Sequence, residues 1–169
     1  MLSDDYADSV TLSSYDSGIP ADLPPTLVPQ LKNYISTSDI SLLSQSLIIL
    51  GLLLDLSPTI TFPEVERDIL PDVYAIAHSP LVSGTALDAM LVFFGSLVQA
   101  DGQIGTHLVP NLVAGAEKAS KAECSPGNVA KCIAQIVKSQ QGIAAGTIAE
   151  FSKHIKVSYP SCQICCGLL

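Results

Sequence analysis

The chain has no tryptophan, only four phenylalanines and five tyrosines, and two methionines in 169 residues. A core so poor in aromatic groups must be filled by Leu, Ile, Val and Ala, the composition of stacked helices more than of β-rich or aromatic-caged folds. Positive charge is also scarce. Eight Lys and Arg against sixteen Asp and Glu leave a formal charge of -8, which argues against a surface built to neutralise phosphate or anionic lipid. Neither nucleic acid nor a membrane is an expected partner. Long apolar runs are missing too: Leu47–Leu54, eight residues bracketed by Gln45 and Asp55, falls well short of the ~20 residues a bilayer core requires. What is present is 48% hydrophobic residues, enough to bury one sizeable core and to exclude disorder throughout.

Residues 1–22 are rich in Ser and Asp, lack any helical or alternating period and contain Gly18 and Pro20, which reads as a flexible acidic lead-in. The five cysteines, without a basic N-terminal signal pattern ahead of them, imply a reducing compartment. Charge is uneven along the chain. Residues 1–101 hold thirteen acids against Lys32 and Arg67, and residues 102–169 hold three acids against six lysines. The asymmetry fits either a segment seated between neighbours in a longer array or solvated helix faces of different sign.

From Leu23 onward the apolar period is helical, and one short string recurs: Leu27-Val28-Pro29-Gln30-Leu31, Leu70-Pro71-Asp72-Val73 and Leu108-Val109-Pro110-Asn111-Leu112. The three prolines are 42 and 39 residues apart. A period near forty residues is that of solenoids built from helix pairs of the HEAT or armadillo kind, in which each pair leaves an apolar face that only the next pair covers. The expected fold is therefore all-α, a HEAT-like α-solenoid (α-α superhelix) of three to four helix pairs over residues 23–156. A proline inside the first helix of each pair is expected to remove one backbone donor and bend it.

Second helices are expected after Ser38-Asp39, Ser79-Pro80 and Ser125-Pro126, each a cap signal. Ser41–Leu56 and Leu81–Gln99 are apolar nearly all the way round, as in helices sandwiched between layers. In the latter, Thr85, Asp88, Ser96 and Gln99 form a narrow polar strip at helical spacing, the expected exposed line. Asn128–Lys138 is more amphipathic, with Val129, Ile133, Ile136 and Val137 inward and Lys131, Gln135 and Lys138 opposite. A helix over Ile143–Lys156 would open a fourth unit, so the array is expected to stop mid-repeat, followed by an irregular Cys-rich tail over residues 157–169.

The string Ser79-Pro80-Leu81-Val82-Ser83-Gly84-Thr85-Ala86-Leu87-Asp88-Ala89-Met90-Leu91-Val92-Phe93-Phe94-Gly95-Ser96-Leu97-Val98 resembles a stretch in the middle-to-late HEAT repeats of the cullin-associated, neddylation-dissociated proteins. Val129-Ala130-Lys131-Cys132-Ile133-Ala134 is similar to that family's next second-position helix. The resemblance runs from about Leu23 to Lys156 and covers three to four of the family's many repeats. The ends with which the family grips the cullin's RING-bound end and displaces the substrate-receptor adaptor have no counterpart here. The resemblance implies a non-enzymatic role in cytoplasm and nucleus: binding an unneddylated cullin with its RING subunit, and regulating assembly and substrate-receptor exchange of cullin-RING ubiquitin ligases. Another fragment of the same solenoid is a further expected partner.

Other chemistry is thinly represented. Cys162-Gln163-Ile164-Cys165 would need two more ligands to hold zinc, and Cys124, Cys132 and His154 are the only reserves, none at the usual short spacing. Cys166-Gly167-Leu168-Leu169 matches the C-a-a-X prenylation pattern, which makes a small lipid-anchored adaptor the alternative reading, although no polybasic run precedes it. His78, His107 and His154 are far apart, with no nucleophile in an elbow context, and are expected on loops or helix faces. Gly102, Gly105, Gly142 and Gly146 do not make a phosphate loop. Cys132 reads as a small buried hydrophobe. No catalytic residue, metal site or cofactor is expected, and the candidate partner-binding residues are Asp88, Gln99 and Lys131, polar where second helices face outward. Three repeats are about the minimum for a solenoid, and apolar ends predict a companion chain or self-association.

Overall fold

The computed structural model describes Pro20 and residues 22–118 and 125–140. Among these residues the chain is all-helical, with α1 (Leu23–Lys32), α2 (Ile40–Leu56), α3 (Pro58–Asp68), α4 (Leu70–Ala77), α5 (Thr85–Ala100), α6 (Gly105–Lys118) and α7 (Pro126–Ser139). The lead-in, apart from Pro20 and Asp22, lies outside the described residues, as do the expected helix over 143–156 and the tail.

Each helix begins where the backbone finds a reason to turn. Asp39 caps α2, its carboxylate accepting from the Ser41 and Leu42 N–H groups at 3.0 Å each, which satisfies two of the donors that a helix start leaves without partners. Ser57 ends α2 and starts α3 with no loop between them, and Pro58 takes the first helical position, where no N–H is needed. Thr61 is fully buried at this corner and donates its hydroxyl to the Leu53 carbonyl at 3.1 Å, tying α3 back onto α2. Asp101 closes α5, its carboxylate accepting from the Gln103 N–H at 2.9 Å in the short turn that leads into α6.

The prolines divide unequally between their expected roles. Pro29 and Pro110 lie inside α1 and α6, as the spacing predicts. Pro71 does not: it sits in the first turn of α4, just after Ile69, where α3 ends and α4 begins. Lacking an N–H, it cannot complete the bond that would run α3 into α4 as one helix. The third helix over this stretch is thus jointed at a buried isoleucine, and Pro63, inside α3, is a further interior proline.

Ser79-Pro80 also behaves differently from expectation. The Ser79 hydroxyl accepts from the Leu81 N–H at 3.3 Å, which makes a turn, and the helix starts only at Thr85. Gly84 decides this point, since its φ of 52° lies in the left-handed region that residues with a Cβ avoid. Ser125-Pro126 does start α7, with proline in the first turn, although the Ser125 side chain makes no capping bond.

The helices lie in two rows. α1, the jointed α3–α4 and α6 pack side by side in the first, and α2, α5 and α7 in the second, with contacts α1 to α2, α3 to α5 and α6 to α7 across them. α5 and α7 run parallel, because Val82 meets Asn128, Met90 meets Cys132 and Gly95 meets Gln135 and Ser139 in ascending order along both. The core between the rows holds Leu43, Leu47, Leu50, Leu54, Ile69, Met90, Phe93, Phe94, Leu97, Leu108, Leu112 and Ile136, all fully buried. Phe93 and Phe94 are adjacent on α5 with ring centroids 5.9 Å apart and tilted by 55°, a favourable aromatic arrangement. Consecutive residues point about 100° apart on a helix, so the pair shows α5 buried over a wide arc.

Glycine sets the approach of α5 to its neighbour. A Cβ on Gly51 of α2 would lie 3.5 Å from the Ser96 hydroxyl and 3.9 Å from the Phe93 backbone. This leaves room for a methyl group and for nothing larger. Gly51→Ala is therefore expected to be neutral or to stabilise by up to ~1 kcal/mol through helix propensity, whereas Gly51→Leu is expected to cost about 1–3 kcal/mol by overpacking; thermal or urea denaturation of the two variants measures the contrast.

Candidate functional site

The three candidate residues lie on the outer face of the second row. Asp88 and Gln99 on α5 and Lys131 on α7 are all exposed. Asp88 and Gln99 are eleven positions apart, close to three full turns, which places them on one line about 16 Å long. Met90 of α5 meets Cys132 of α7, so Asp88 and Lys131 stand at nearly the same height on neighbouring parallel helices. Val92, 57% exposed, completes the strip between Asp88 and Gln99.

Ser96 does not belong to that strip. It is only 6% exposed, because it turns toward Gly51 of α2. The polar residue was placed by helical spacing alone, and the spacing does not reveal that a neighbouring glycine opens room for it. Gln135 likewise turns partly inward, against Gly95, while Lys131 and Lys138 remain on the exposed side of α7 and Val129, Ile133 and Ile136 are buried.

α2 departs from the sandwiched helix that its composition predicts. One side is buried by Leu43, Leu47, Leu50 and Leu54, yet Leu42, Ile48, Ile49, Leu52 and Leu56 are exposed. Across the row the outer surface changes from aliphatic on α2, through Asp88 and Gln99 on α5, to Lys131 and Lys138 on α7.

Behind this face, two groups that sequence reasoning missed hold the start of α5 to α7. The buried Asn128 side chain donates to the Ser79 carbonyl at 3.1 Å and to the Val82 carbonyl at 2.8 Å, and the Ser125 N–H donates to the His78 carbonyl at 2.7 Å. The turn before α5 is thereby pinned from 46 to 49 residues away. The only available signal was an Asn in the first turn of a helix, which also suits a local cap. His78 lies in the turn after α4, within the expected loops or helix faces, but it is buried, and its imidazole lies where a Cβ on Gly115 would be. Burial holds it below the ordinary histidine value. His107 is exposed on α6.

Cys132 is fully buried with its sulfur 3.8 Å from the Met90 sulfur, and burial pushes the thiol up to about 12. A thiol so far from ionising is a poor nucleophile and a poor ligand. Tyr74 of α4 is half-buried and hydrogen-bonded to Asn111 of α6; burial raises its phenol above the ordinary value, with that hydrogen bond opposing the rise. Arg67 pairs with Glu64 and with Asp68 at 2.7 Å, and its hydrogen bond to Asp68 holds that carboxyl below the ordinary range. The guanidinium is exposed, so these pairs contribute little stability.

Among the described residues no three His, Cys, Asp or Glu converge as a metal site would require, and no helix is long and apolar enough to cross a membrane. Cys124, His154, Cys162, Cys165 and Cys166, on which the zinc and prenylation patterns rest, lie outside the described residues. No protein-family model matches the chain, and no curated protein matches it at a significant level. The family resemblance therefore rests on the quoted residues alone.

Asn128→Ala removes both side-chain donors from the turn and is expected to destabilise the protein by about 1–3 kcal/mol, measured by denaturant unfolding. In the folded state at neutral pH, Cys132 should not react with a thiol-specific chromogenic reagent, and it should do so promptly once the protein is unfolded. Rapid labelling of Cys132 in the native protein, located by mass spectrometry, is the contrary result.

Proposed function

We propose that this chain is a segment of a HEAT-like solenoid that works by binding a protein partner and has no catalytic machinery of its own. One observation carries the reading: parallel α5 and α7 share the second row with α2, and α1, the jointed α3–α4 and α6 form the first. Such an array advances by one helix pair about every forty residues, which is how solenoids build extended surfaces from local contacts. Pro29, Pro71 and Pro110 fall in successive members of the first row, in keeping with a repeated unit.

The partner that the resemblance names is an unneddylated cullin with its RING subunit, in cytoplasm and nucleus, and the activity is regulation of receptor exchange on cullin-RING ubiquitin ligases. The Ser79–Val98 string on which this rests spans the pinned turn and α5, the central helix of the second row. Asp88, Gln99 and Lys131 lie on the face where a partner would make polar contacts. Charged groups on such a rim set encounter and register more than total affinity.

Purified protein should bind unneddylated cullin–RING complex in a pull-down, and more weakly after the cullin is neddylated. The pair Asp88→Lys and Lys131→Glu should weaken capture by about tenfold, equivalent to ~1.4 kcal/mol. Equal capture by the double variant would remove this face from the interface, and no capture by the wild type would remove the cullin reading.

A further inference from the structure

The second row repeats its contacts, and the repeat exposes what α2 lacks. Gly51 of α2 faces Ser96 of α5, and Gly95 of α5 faces Gln135 and Ser139 of α7. Gly51 and Gly95 thus hold the same place in successive helices, each turned toward the helix that follows. The residue after each glycine turns the opposite way. On α5 that residue is Ser96, 6% exposed against α2, and on α2 it is Leu52, 54% exposed. Leu42, Ile49 and Leu56 lie on the same side of α2 at helical spacing and are exposed as well. Together they make an aliphatic strip about 20 Å long, in the position through which α5 packs on its predecessor.

Among the described residues, the opposite end of the row offers a complement in shape and charge. On the side of α7 away from α5, Ala130 and Ala134 are exposed and Val137 is half-buried, a low surface onto which protruding leucines can pack. Lys131 and Lys138 border it, and Asp55 borders the strip on α2. Gly51 is level with Phe93 and Ser96, and Gly95 with Gln135 and Ser139. In a continued row, Lys138 of one copy and Asp55 of the next would consequently fall within about one helical turn of each other. The described residues have the same polarity, with nine acids against Lys32 and Arg67 up to residue 101, and Lys131 and Lys138 beyond it. Stacking head to tail brings Lys138 and Asp55 together, whereas a symmetric contact between two α2 strips would bring no lysine of α7 to either Asp55.

We infer that the open side of α2 is the docking site for the far side of α7 of a second copy, so that copies associate head to tail and extend the row. The contact depends on the two-row packing and not on the cullin reading, so either can fail without the other.

Light scattering coupled to size exclusion tests it over a dilution series. The wild type should show a mass rising with concentration above the 17.7 kDa monomer. Leu52→Glu and Ala134→Glu, both at exposed positions, should each remain monomeric while circular dichroism shows unchanged helix content. An equimolar mixture of the two should form a dimer and stop there, because one variant keeps an intact α2 strip and the other an intact α7 surface. A wild type that stays monomeric throughout would overturn the inference, the strip then being covered by another part of this chain or reserved for a different partner. So would association abolished by Leu52→Glu but unaffected by Ala134→Glu, the pattern of a symmetric α2 contact, or a mixture that does not pair.

Discussion

The close packing of α5 between α2 and α7 is the constraint on which the other contacts depend. Two fully buried phenylalanines anchor it, each contributing about 1.5–3 kcal/mol of burial in a fold whose net stability is expected to be only ~5–15 kcal/mol. Glycines on α2 and on α5 itself set its distance from the two neighbouring helices. A helix held this closely on both sides leaves only a narrow strip for solvent. That geometry explains why Thr85, Asp88, Val92 and Gln99 are exposed while the serine at the next apparent polar position is not.

The turn before α5 is part of the same constraint. Gly84 permits a backbone conformation that ends the turn, and the Asn128 side chain holds the turn from the next helix of the row. Local and distant restraints meet on six residues, so the start of α5, and with it the height of Asp88 beside Lys131, is set by α7 as much as by the preceding sequence. The polar face proposed as a protein-binding surface and the buried Asn128 behind it therefore form one mechanical unit. Cys132 and Met90 fill the space beneath, and the thiol serves as packing volume.

The polarity of the row gives the surface its directional character. Among the described residues aliphatic side chains crowd one end, Lys131 and Lys138 the other, and Asp88 and Gln99 of the central helix lie between them. Exposed aliphatic side chains leave apolar area in water. In α2 that area is not scattered: it follows one side of the helix at the spacing of its buried side.

Much of this was legible in the sequence because it is local. The helical period, the scarcity of aromatics, the Asp39 cap, the proline at the start of α7 and the outward placement of Asp88, Gln99 and Lys131 all follow from residues within one or two turns of each other. The burial of Cys132 could likewise be read from the apolar face it shares with Val129, Ile133 and Ile136. What only the tertiary structure decided involves pairs far apart in the chain. These are Ser96 turned into the space beside Gly51, His78 seated over Gly115, Asn128 spent on a turn nearly fifty residues away, and the exposed side of α2 that composition alone would have buried. Helical spacing tells which residues share a side of a helix; which side meets a neighbour depends on how closely two backbones can approach, and that is determined only when both helices are in place.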